Sequence, residues 1–132
     1  MLVPLRHVPI LFVASGLTFG GMWANVNPHG AALLFGLPPH IAESLPAQAV
    51  MTLCSGRSSV IGMAIWTFYL KKDYAAVDTI LILIGYLGLV DGYICWREGV
   101  PAKAVERAVA SIFAAGMGWF GWTAGAAATL KI

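Results

Sequence analysis

Val50-Met-Thr-Leu-Cys54-Ser-Gly-Arg57-Ser-Ser-Val60-Ile-Gly-Met-Ala-Ile65-Trp-Thr-Phe-Tyr-Leu70 and, after Lys71-Lys72-Asp73, Tyr74-Ala-Ala-Val-Asp78-Thr-Ile80-Leu-Ile-Leu-Ile-Gly-Tyr-Leu-Gly-Leu-Val90-Asp91-Gly-Tyr-Ile-Cys95-Trp96 form the stretch that decides the fold. Each segment can cross a bilayer, because roughly 20 residues at about 1.5 Å rise span the hydrocarbon core. Each also hides a charge. An ionised Arg57 or Asp91 inside such a segment costs on the order of 3 kcal/mol unless paired or wetted. In a helical hairpin the two lie roughly 7–8 Å apart along the membrane normal, and their side chains lean toward each other's level. A buried Arg57–Asp91 pair is therefore expected.

The composition fits an integral membrane protein. The 132 residues are 59% hydrophobic and only 11% charged, with mean hydropathy +0.79, against roughly a quarter charged in a soluble domain. The net charge of +2 is too small to point to a nucleic-acid partner. The length suits one helical domain over 1–132 with no internal repeat. The fold expected is all-α, an integral membrane bundle of four transmembrane helices near 6–25, 48–70, 74–96 and 105–129.

Working outward, Val8 to Trp23 reads as a first span in preference to a cleaved signal peptide. Gly16 and Gly20 make a small-xxx-small pair expected to pack closely on a neighbour. Asn25 to Pro46 is a proline- and asparagine-rich connection, with Ala31 to Leu37 an interfacial or re-entrant piece. His29, His40 and Glu43 match no metal-site spacing and read as a solvated loop. Asp73 is placed to cap the third span, with Asp78 one turn further in. Gly99 and Pro101 mark that span's end. Gly118, Gly121 and Gly125 are expected along one side of the fourth span.

Arg6, Lys71, Lys72 and Lys131 fall on one side of the membrane, and Arg97, Lys103 and Arg107 on the other. The long connection without Lys or Arg falls with the second set, so both termini are expected in the cytosol. Cys54 and Cys95 differ in depth and read as buried free thiols.

Ser55-Gly-Arg57, Gly62, Lys71-Lys72-Asp73, Gly88-Leu-Val-Asp91-Gly92 and Glu98-Gly99 together resemble the domain-of-unknown-function family 4267 over residues 50 to 120. The resemblance implies a small four-span membrane protein of a kind common in filamentous fungi and also found in bacteria. Members typically carry an acid after the arginine, where Ser58 stands here. By analogy with small multi-span proteins of fungal biosynthetic clusters, one function left open is hydrolysis or cyclisation of a lipophilic epoxide intermediate of polyketide or terpenoid metabolism.

In that reading Asp91 acts as base or proton donor and Arg57 orients it and stabilises developing negative charge. Ser55, Asp78, Tyr93 and Glu106 are the candidate substrate-binding residues. No metal or cofactor is called for. The other function left open is a non-catalytic scaffold, accessory or transport protein with a structural Arg57–Asp91 pair. The expected setting is multi-pass in the endoplasmic reticulum or another endomembrane. The expected partners are a lipophilic small molecule and membrane lipid, with a second copy of the chain as a further alternative.

Overall fold

A computed structural model describes residues 3–125, and they form helices joined by short turns. After a single 3-10 turn at Leu5–His7 come α1 (Val8–Val26), α2 (Pro28–Phe35), α3 (Pro39–Ala42), α4 (Leu45–Leu70), α5 (Tyr74–Arg97) and α6 (Pro101–Trp119). The chain is all-α, and three of its helices are long and apolar enough to cross a membrane: the one from Leu5 to Val26, α4 and α5. By length and composition this is a membrane protein.

Local chemistry sets most of the ends. α4 starts at Leu45 and α6 at Pro101, each a few residues earlier than the apolar pattern suggests. Pro46 and Pro101 sit in the first turn, where the missing N–H has no helical partner to lose. The Asp73 carboxylate accepts the Ala76 N–H at 3.2 Å and caps α5 as expected. Gly99, at φ 89°, stops that helix. Asn27 caps α2 by accepting the Gly30 N–H at 2.8 Å. Gly36, at φ 115°, ends it with the Leu37 N–H returning to the Ala32 carbonyl at 3.0 Å.

The expected fourth span differs. α6 ends at Trp119, and Gly121 follows at φ 63° and Gly125 at φ 89°. These two glycines therefore turn the chain away instead of lining a helix. The part of that span over 126–129 lies outside the described residues.

The helices pair as α1 with α4 and α5 with α6. α4 and α5, although joined by a three-residue turn, approach each other far less closely than either approaches its partner. Small residues explain the choice. A Cβ on Gly62 would strike the Ala14 carbonyl and the Thr18 backbone, and one on Gly21 would strike Ser55 and Ser59. The Ser59 hydroxyl donates to the Thr18 carbonyl at 2.9 Å across this contact. In the second pair, a Cβ on Gly85 or Gly88 would run into Ala115 or Ser111, and one on Gly118 into the Asp78 carbonyl.

Backbones that approach this closely gain dispersion contacts, which lipid cannot replace. Gly16 and Gly20 are not part of it. A Cβ on either meets nothing, so the face that binds α1 to α4 is Ala14, Thr18 and Gly21. The two pairs meet in a core near the 71–73 turn, where Ile10 and Ala14, Ile65 and Tyr69, Val77 and Leu81, and Ala114 and Met117 cluster.

Candidate functional site

Beyond that core, about midway along the two helices, α4 and α5 leave a cleft of about 450 Å³ between them. Val60, Ile61 and Ala64 line one wall, and Ile80, Leu83, Ile84, Tyr86 and Leu87 the other. The phenol of Tyr86 is the one polar side-chain group among these. The volume is in the range of small-molecule pockets, and the cleft is open to the helix surface, where Val60, Leu83 and Tyr86 are more than half exposed. The lining has no carboxylate, imidazole or thiol, so what it offers by itself is apolar contact.

Arg57 lies one helical turn from Val60 and Ile61 on the same face of α4, and Asp91 one turn from Leu87 on α5. Both therefore stand at the far end of the cleft. They do not pair. Among the described residues the ion pairs are Arg97–Glu98 at 3.1 Å and Lys103–Glu106 at 3.2 Å. Arg57 is exposed, whereas Asp91 is half-buried. The physical reason is the helix pairing. Gly88 and Gly92, which flank Asp91, turn that side of α5 onto α6, while α4 gives its tight face to α1.

The other candidate residues are dispersed. Ser55 is buried against Gly21 of α1. Tyr93 is exposed on α5 with the Arg97 guanidinium 5.9 Å from its ring centre. Glu106 is exposed beside Lys103. Asp78 lies 13 residues from Asp91, about 20 Å along the helix. Cys95 is buried and free, and Cys54 is exposed and free, not buried as expected.

Asp78 belongs to a buried polar cluster at the turn end. Its two carboxylate oxygens accept the Thr123 N–H at 3.0 Å and the Ala124 N–H at 2.9 Å. His7, 2% exposed, lies 2.9 Å from the Tyr69 hydroxyl through Nδ1 and 3.1 Å from the Thr123 carbonyl through Nε2. A carbonyl only accepts, so the hydrogen-bond network assigns the proton to Nε2 and lets Nδ1 accept from Tyr69 when the ring is neutral. Tyr74 packs on both rings. The Trp122 indole N–H donates to the Arg6 carbonyl. The cluster thus ties the start of α1, the α4–α5 turn and the segment after α6 into one unit. Little in the sequence signals it: His7 sits in a short polar head, and its partners are 62 and 116 residues away.

At the opposite end the Phe35 carbonyl, left open where α2 stops, accepts from Arg107 Nε at 3.2 Å and from the Cys95 thiol at 3.7 Å. The Arg107 guanidinium also lies 4.4 Å from the centre of the Phe35 ring. This fastens the α1–α4 connection onto the α5–α6 pair.

Fold and site together define a small helical membrane protein with a lipophilic cleft between two close-packed helix pairs. Residues 14–123 match the family described as a domain of unknown function (DUF4267), and the chain belongs to it. No curated protein and no solved structure matches the chain.

Proposed function

We propose that this protein is a four-span integral membrane protein that binds a lipophilic small molecule in the α4–α5 cleft. One observation carries it: two helices joined by a tight turn stay apart over a stretch whose lining side chains are apolar but for the Tyr86 phenol. Elsewhere in the molecule, helix pairs of this length close onto each other through glycine. In this reading α6 is the fourth span. Its 19 residues cover about 28 Å, with Lys103, Glu106 and Arg107 at its polar entrance. The protein sits in an endomembrane with both termini in the cytosol.

A photoactivatable aliphatic alcohol, applied to the full chain in lipid nanodiscs, tests the binding site. Labelling should concentrate on 60–64 and 80–87, and Ala64→Trp should suppress it. Equal labelling of the lipid-facing Phe19 and Phe113 would refute the reading. Single cysteines introduced at 72 and 99 should react from opposite sides of the membrane, and reaction from one side would remove the four-span topology.

Catalysed opening or cyclisation of an epoxide is the second reading. Its support is that Asp91, half-buried, stands one turn beyond the end of the cleft, where a proton donor or base would meet a bound apolar skeleton. A folded Asp91→Asn protein with undiminished turnover of a lipophilic epoxide would end it.

A further inference from the structure

Arg57 is a cation in a membrane helix with no carboxylate partner among the described residues. The hydroxyl next to it, Ser58, donates to the Cys54 carbonyl at 3.3 Å. Its depth follows from α4. The helix has 26 residues, about 39 Å, and exceeds a hydrocarbon core of about 30 Å. Lys71, Lys72 and Asp73 hold its C-terminal end at the interface, so the excess lies at the Leu45 end. Arg57 then starts about 10 Å inside the hydrocarbon. Its side chain leans toward the N-terminus of α4 and so toward the nearer interface. The cleft begins one turn below it, at Val60 and Ile61 near the bilayer centre, and runs on past Ala64 toward the 71–73 turn.

We infer that the cleft takes a single-chain amphiphile with an anionic head, its oxyanion on Arg57 and its hydrocarbon tail between α4 and α5. The inference rests on the proposed lipophilic cleft and adds the chemistry of the head. A guanidinium presents a planar fork of donors that matches carboxylate or phosphate oxygens, and it gains most where water is scarce. The geometry orders the ligand with its head toward the nearer interface and its tail running to the midplane and across it. Asp91, the carboxylate at the same end, makes no ion pair with Arg57 among the described residues, which leaves Arg57 a charge without a carboxylate partner one turn from the cleft. A neutral amphiphile would fill the cleft equally well and leave the arginine unsatisfied in hydrocarbon.

Dodecanoate, dodecyl phosphate and dodecanol share one tail and differ in the head. Their binding to the full chain in phosphatidylcholine nanodiscs can be followed by native mass spectrometry. Both anions should bind more tightly than dodecanol, and the tighter of the two names the head as carboxylate or phosphate. Arg57→Gln should weaken both anions roughly tenfold to a hundredfold, the scale of a hydrogen bond to a charged group, and leave dodecanol unchanged. Arg57→Lys, which keeps the charge, should retain a preference for the anions.

Ala64→Trp should displace all three probes. If Ala64→Trp displaces them but Arg57→Gln leaves anion binding unaltered, the head-group inference is wrong and the cleft stands. If Ala64→Trp changes none of them, the cleft itself is wrong. Far-ultraviolet circular dichroism of each variant verifies that it is folded, and Arg57→Lys decides the head group should Arg57→Gln fail to fold.

Discussion

Removing the Asp78 carboxylate should loosen the whole turn end of the bundle, and the size of the effect can be worked out from its partners. Asp78 is 4% exposed and satisfies two backbone donors, the N–H groups of Thr123 and Ala124. Asp78→Ala strands both. A buried donor left unpaired costs about 1–3 kcal/mol. Thr123 is fully buried and Ala124 only partly, which suggests a loss of roughly 2–5 kcal/mol for the pair. Asp78→Asn should fall in between. Its single carbonyl oxygen can serve one N–H, while its amino group must face the other donor.

Thr123→Val is the matching control. The Thr123 hydroxyl is buried with no partner among the described residues, so replacing it with a methyl of similar shape should be neutral or stabilise by up to about 1 kcal/mol. Reversible unfolding in mixed micelles titrated with sodium dodecyl sulfate, followed by circular dichroism, measures all three. Trp122, whose indole bonds to the Arg6 carbonyl, offers a local fluorescence signal. An Asp78→Ala protein within about 0.5 kcal/mol of the parent, well below the cost of one stranded donor, would refute the claim that this carboxylate anchors the segment after α6.

Three further outcomes can be read from the same unfolding curves. Gly62→Ala should cost about 1–3 kcal/mol because the new methyl overlaps the Ala14 and Thr18 backbone, whereas Gly16→Ala meets open space and should stabilise by about 0.5–1 kcal/mol; equal effects would mean that α1 packs through its other face. His7→Phe and Tyr69→Phe delete the same hydrogen bond, so the double variant should lose about 1 kcal/mol less than the sum of the singles, and strict additivity would remove the bond. Lys72, at φ 62°, is the one non-glycine residue with positive φ among those described; Lys72→Gly should relieve strain and stabilise by up to about 1 kcal/mol, and a loss of stability would show that the lysine side chain is needed at the turn.

Several features of this protein could be read directly from neighbouring residues. Asp73 as a cap, Gly99 with Pro101 as a stop and the Lys71-Lys72-Asp73 turn place α5 and the end of α4, because capping and backbone conformation are decided within a few residues. The length and apolarity of α1, α4 and α5 likewise mark membrane helices without reference to any partner. Pro46 and Pro101 were the exception, since each reads as a breaker yet serves in a first turn.

Which faces meet was a tertiary decision. A helix that is apolar all round carries no stripe to show where its neighbour lies, so Gly16 and Gly20 looked as suitable for packing as Gly21 and Gly62. The Arg57–Asp91 pairing assumed that helices adjacent in sequence are closest in space. Backbone contact at Gly62 and Gly88 drew α4 to α1 and α5 to α6 instead, and Arg57 and Asp91 were separated with them. His7 and Asp78 gained their roles the same way, from a hydroxyl, a carbonyl and two N–H groups that distant stretches of chain bring to them. Hydrogen-bond demand is a property of the residue, but the groups that meet it are fixed only when the helices close.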